Sequence, residues 1–189
     1  YTLSLHDALP IYKETSGVLL FTKDEKLRNI LQDNWNDLVV DREYIALIEG
    51  NLDKDEGTIV SWLRESSTNL MYSANKKGDG QKAITKYKVL QKNDKYSLVD
   101  VHIETGRKNQ IRVHFKEKGH PIVGDEKYQA TLYTIGRLGL HARKLSLKNP
   151  LNNQIMDFVC NEDPIFKKVF DKNFVEIKPK SIKKEKKKK

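Results

Sequence analysis

The side chains able to do chemistry crowd into one stretch, residues 105–125, TGRKNQIRVHFKEKGHPIVGD. Between positions 107 and 118 it carries Arg107, Lys108, Arg112, Lys116 and Lys118 against a single acid, Glu117. Guanidinium and ammonium groups set this densely on a short segment suit holding an anionic polymer. A solvated helix face would have the same composition. His102, His114, His120 and Asp125 lie close together in sequence and could suggest metal ligands. Their spacing matches no compact metal pattern and no cysteine stands near them, so no metal is expected. Ser16 lies in Thr15-Ser16-Gly17 without the glycine-flanked elbow of a nucleophilic serine, and reads as a turn.

These side chains need elements to position them. Residues 96–103 alternate, with Ser97, Val99, Val101 and Ile103 on one face, which predicts a strand. Thr105-Gly106 breaks the alternation, and Thr105 is a fair N-cap for a helix of about three turns over 107–118. In it Ile111 and Phe115 fall one turn apart, as do Gln110 and His114; Gly119 and Pro121 end it. Upstream, the apolar run 18–21 predicts a buried central strand. Leu27, Ile30, Leu31 and Trp35 form a helical stripe after Asp24. REYIALIEG, ending at Gly50, and GTIVSWL read as strands, and residues 64–81 as a loop with a short strand near Met71 and Tyr72. Residues 82–91 and 96–103 form a hairpin across 92–95, and LHARKLSL pairs with QIMDFV across 149–153.

A chain of 189 residues, 38% hydrophobic and 32% charged, fits one domain with an ordinary core. No apolar run reaches the length of about eighteen residues that spans a bilayer. The lone Cys160 cannot form an internal disulfide, which fits a reducing cytosol. The net charge is +9, but residues 178–189 hold eight Lys and one Glu, so seven of those charges belong to the tail. Such lysine-rich low complexity predicts disorder. Residues 1–11, YTLSLHDALPI, have neither an initiator Met nor the plan of a signal peptide, and are expected to be a non-native leader joined to an incomplete gene.

TGR-x-x-QIRVH followed by GHPIVGD and a Tyr closely resembles the third motif of the RluA-type RNA pseudouridine synthases, with Asn109 where that family more often has His. EYIALIEG is similar to the family's Tyr-x-Ala motif, KETSGVLLF to the segment after its catalytic Asp, DGQKAITKYKVL to the strand before the third motif, and RLGLHARKLSLKNP to its closing segment. The resemblance covers roughly residues 13–165. It implies an α+β fold, a mixed, mostly antiparallel sheet flanked by helices with an RNA cleft across its middle. It also implies a division into a leader (1–11), a catalytic domain incomplete at its N-terminus (12–166) and the disordered tail (178–189).

The implied reaction breaks the glycosidic bond to uracil, turns the base and rejoins it through carbon, after the uridine has left its stack. An Asp, a Tyr and an Arg serve that chemistry in the family, without metal or organic cofactor. Tyr44 matches the Tyr and Arg112 the Arg; as bare residues they would read as a packed strand Tyr and one more phosphate contact. The Asp should end a His-Arg-Leu-Asp run just before Lys13, where the chain has Leu9-Pro10-Ile11-Tyr12. A phenol with a pKa near 10 cannot replace that carboxylate. Arg107, Lys108, Asn109, Gln110 and His114 are the expected RNA-binding residues. The expectation is thus a cytoplasmic enzyme of ribosomal or transfer RNA with no membrane and no obligate protein partner, seen as a truncated and inactive copy. The alternatives are a non-catalytic RNA-binding module, or an assembly artefact without a cellular role.

Overall fold

The computed structural model describes residues 14–74 and 76–177; the leader, Tyr12 and the lysine tail lie outside them. The strands are β1 (Ser16–Gly17), β2 (Val39–Glu49), β3 (Glu56–Glu65), β4 (Met71–Ser73), β5 (Gln81–Lys92), β6 (Tyr96–Ile103), β7 (Leu140–Lys148) and β8 (Ile155–Val159). Helices α1 (Glu25–Asp33), α2 (Trp35–Leu38), α3 (Gln110–Glu117) and α4 (Ile165–Lys168) accompany them. The sheet runs β1-β7-β2-β6-β5-β3-β4, with β8 also paired to β7. Every pairing is antiparallel except β1 with β7, so the fold is the mixed, mostly antiparallel α+β expected.

Strand β2 explains why this sheet needs cover on both sides. Its alternate residues Ala46 and Ile48, and Ile45 and Leu47, are all wholly buried, which a one-faced strand would not show. Ala46 and Ile48 join Val99 and Val101 under Ile111 and Phe115 of α3. Ile45 and Leu47 join Tyr96 and Leu98 against Phe166 and Val169 on the other face. Phe115 and Phe166 have no exposed surface, and each contributes about 2 kcal/mol of hydrophobic stabilisation. Packing continues past residue 166: Ile177 N–H donates to the Thr134 carbonyl at 2.8 Å.

Two local expectations are corrected. The run 18–21 is not a central strand; only Ser16 and Gly17 pair with β7, and Val18 N–H makes a last bond to the Ala142 carbonyl. Val18 and Leu20 pack on the Leu145–Leu147 cluster beside α1, while Leu19 and Phe21 are exposed. An apolar run on the sheet's outer margin thus has one covered side. Helix α3 starts at Gln110 rather than 107, with Asn109 in the N-cap place at φ +54°. The Thr105 hydroxyl is not its cap: it accepts from Ile84 N–H and donates to Gln110 Oε1. Residues 105–109 are therefore a loop fastened to β5. The far end is as expected, with Gly119 at φ +80° before Pro121.

The β2–β7 ladder contains two irregularities. Val39 pairs with Leu147 but Asp41 with Ser146, which leaves Val40 as an extra residue on β2. Glu43 pairs with Lys144 but Tyr44 with Ala142, which leaves Arg143 as an extra residue on β7.

Candidate functional site

Tyr44 stands at the middle of the sheet, between Val101 of β6 and Ala142 of β7. It is half-buried and packs on the α3-side cluster that includes Ala46, Val101 and Ile111. The extra residue opposite it, Arg143, is a β-bulge, a device that bends a strand and re-aims its side chains.

Arg112 follows Ile111 on α3, and its side chain is only 11% exposed. Its Nε and Nη2 donate to the two carboxylate oxygens of Asp125 at 2.7 and 2.6 Å, a bidentate fork. Nη2 also lies 2.9 Å from Glu14 Oε2. Asp125 is fully buried and additionally accepts from Tyr128 N–H at 3.1 Å. The Tyr128 ring lies 5.3 Å from the guanidinium carbon, within cation–π range. Burial alone would lower the Arg112 pKa, but the bonds to Asp125 and the charge of Glu14 outweigh it and raise it. The guanidinium is therefore a fixed cation, held by acids from two different segments. In sequence Asp125 stands out only as the end of the GHPIVGD segment and as a candidate metal ligand, and Glu14 does not stand out at all. The GHPIVGD turn brings Asp125 back under α3, a closure that spacing along a chain does not display.

Of the five residues expected to meet RNA, Arg107, Lys108 and Asn109 lie at or near the surface. Arg107 Nε donates to the Lys82 carbonyl at 3.1 Å, and Lys108 pairs with Glu65. Gln110 and His114 are buried, and their bonding capacity is used inside the protein. Gln110 Nε2 donates to the Ile84 carbonyl and Thr85 Oγ1, both at 2.9 Å, while its Oε1 accepts from Thr105 and Arg107 N–H. The His114 ring bridges Ser61 Oγ and Thr85 Oγ1, each at 2.9 Å. Burial, with Lys118 nearby, lowers its pKa to about 4, so it is neutral at pH 7.

The other histidines do not converge with it. His120 Nδ1 donates to the Glu49 carbonyl. His102 lies on the opposite face, 2.9 Å from Asp41 and 3.6 Å from Asp100. Among the described residues, Asp41, Glu43 and His102 are close enough to share a metal ion. Asp41 is engaged by His102 and Glu43 by Arg143 at 3.2 Å, so the group is already an ion-pair network.

Known proteins resemble this chain in sequence and in fold. Residues 12–117 match the family described as RNA pseudouridylate synthase. An uncharacterised RNA pseudouridine synthase of Bacillus subtilis, YjbO, is 34% identical over 155 residues, 82% of this chain and 54% of its own length. The ribosomal large subunit pseudouridine synthase D of Borreliella burgdorferi is 34% identical over 77% of this chain and 46% of its own length. The chain thus spans about half the length of the curated relatives it matches. The solved structure of human RNA pseudouridylate synthase domain containing 1 superposes with a TM-score of 0.63 at 26% identity, covering 75% of this chain and 62% of the human one.

Proposed function

This chain belongs to the RNA pseudouridylate synthase family, and from that premise we propose that its α3-side cleft binds ribosomal or transfer RNA and receives a flipped uridine against Tyr44. The supporting observation is Arg112, a nearly buried cation held between Asp125 and Glu14 beside the cluster on which Tyr44 packs. In the family's isomerisation the N-glycosidic bond breaks, the uracil turns, a carbon–carbon bond forms and the displaced ring proton moves to nitrogen. Atoms balance without a cofactor. Tyr44 supplies the ring surface for the base, Arg112 the field that keeps a carboxylate ionised in a desolvated pocket, and Arg107 and Lys108 contacts to phosphate. The same reading makes the cytoplasm, where ribosomal and transfer RNA are abundant, its site of action. No helix among the described residues is long and apolar enough to cross a membrane.

The chain as written does not complete this set, because Tyr12 stands where the resemblance places the Asp. Asp125 is fully buried and committed to Arg112, and Glu14 is more than half exposed. A second reading, RNA binding without turnover, draws its support from that substitution. Tritium release from RNA carrying 5-tritiated uridine separates the two. The 189-residue chain should release none, and a version whose residues 1–12 are replaced by a family-type segment ending in His-Arg-Leu-Asp should turn over. Release by the unaltered chain, abolished by Glu14→Gln, would transfer the carboxylate role to Glu14. Failure of both chains to bind uridine-rich RNA would overturn the cleft assignment.

A further inference from the structure

We propose that Arg42 is a positioning residue that clamps loop 104–107 to β2, and that Gly106 is required by the Arg42 guanidinium rather than by the backbone. The proposal rests on reading that loop as the RNA-facing rim of the cleft, since it carries Arg107 and leads into α3. Arg42 lies two residues before Tyr44 on the same face of β2. The β2–β6 ladder ends at the pair Glu43 and His102, so the chain beyond β6 has left the reach of backbone pairing with β2. On its other side the loop is fastened to β5 at four points, the first an ion pair between the Glu104 carboxylate and Lys86 at 2.6 Å. Glu104 N–H donates to the Ile84 carbonyl, Thr105 accepts from Ile84 N–H, and Arg107 Nε donates to the Lys82 carbonyl.

Arg42 supplies the attachment on the β2 side, with Nη2 donating to the Glu104 carbonyl at 3.0 Å. Its Nε is buried without a hydrogen-bond partner among the described residues. A surface arginine would escape that penalty by turning into water. This one stays, and its Nη1 occupies the space over Gly106. A β-carbon on Gly106 would fall 2.3 Å from Nη1, and the next atom met would be Arg42 Cζ at 3.5 Å. Gly106 is not among the residues of positive φ, so its backbone would accept alanine. The obstacle is the tip of a flexible side chain, and an alanine there displaces that tip from the Glu104 carbonyl.

It follows that Arg42→Ala and Gly106→Ala undo the same contact by opposite routes. Gly106→Ala keeps the positive charge, so a weakening that it causes comes from loop geometry. Arg42→Lys keeps the charge and has no second terminal nitrogen to meet the new β-carbon, so it should partly rescue Gly106→Ala. The test is a double-mutant cycle on the full chain, read by binding of a fluorescein-labelled uridine-rich single strand and by amide hydrogen exchange. Each single variant and the double should weaken binding by about tenfold, the worth of one hydrogen bond from a charged donor. Exchange should quicken at residues 104–110 and stay unchanged along the β2–β6 ladder. Additive losses in the double variant, or a Gly106→Ala chain that matches the original in both readouts, would refute the clamp. If neither the unaltered chain nor the one with residues 1–12 replaced binds RNA, the proposed function fails, and the exchange cycle still decides the clamp.

Discussion

His114 and His102 sit on opposite faces of one sheet and respond to pH with opposite signs. The folded pKa of His114 is depressed to about 4 by burial, so the unfolded chain takes up its proton first as pH falls. Its share of stability is complete above the unfolded value near 6.5 and is lost progressively toward pH 4, amounting to about 3 kcal/mol. Denaturant unfolding at pH 7 and pH 4.5 should show most of that loss, and His114→Gln should flatten it; an equal slope in the variant would mean that other groups govern the acid limb. For His102 burial opposes the charge, yet the Asp41 bond and the charges of Asp41, Asp100 and Glu43 raise the pKa. Its contribution is therefore present at low pH and fades as pH rises through the folded value. Tyr44 and Arg112 could be singled out from sequence because motifs surround them. The inward turn of Gln110 and His114 could not, since one-turn spacing shows that two residues share a face but not which face is covered. The available signal was in the strands: Ser61 and Thr85 occupy positions of the alternation that elsewhere hold Leu63 and Ala83, so the sheet itself offers hydroxyls to the helix.

At the scale of elements, the limits of α3 are set by what lies at its two ends, while its buried face holds it to the sheet. Its start is set by the loop fastened to β5, which is why a Thr-Gly pair that reads as a cap turned out to be a tether. Its finish is set by Gly119, in a left-handed conformation with open space where a β-carbon would go. Gly119→Ala should consequently cost only backbone strain, about 1–2 kcal/mol. A shifted denaturation midpoint with an unchanged slope is the expected signature. A loss well above that range would show that the turn to Pro121 and Asp125 had moved with it. Strand β2 was legible as a short run rich in β-branched and aromatic residues ending at a glycine, and its central residues 45–48 are apolar without a break because both faces of the sheet are packed there. The run 18–21 was not, because apolar composition does not reveal that a segment lies at the margin of the sheet and has one side to bury.

For the whole chain, charge is divided between a nearly neutral body and a tail that contributes seven of the nine net positives. Removing residues 178–189, which lie outside the described part of the structure, should weaken all single-stranded RNAs alike and reduce the log–log salt slope by up to about 5. Loss of preference among RNAs on truncation would instead give the tail a part in recognition. Strand order, unlike strand identity, could be expected from the family resemblance but not from the residues, because β7 comes late in the chain and inserts between β1 and β2. That late strand also carries the bulge at Arg143, which behaves like a one-letter insertion in a text read two letters at a time. Before it the even residues Leu140 and Ala142 share the Tyr44 face; after it Leu145 lies opposite Arg42 on that same face. The extra residue thus changes the phase in which β7 is read, and Leu145 and Leu147 reach the α1-side cluster because of it. Deleting Arg143 removes the inserted letter and leaves every later pair in phase, at the cost of its ion pairs with the largely buried Glu43 and Glu162. Deleting Ser146 puts all that follows out of phase and turns Leu147 away from its cluster. The first chain should still melt cooperatively, and the second should not fold.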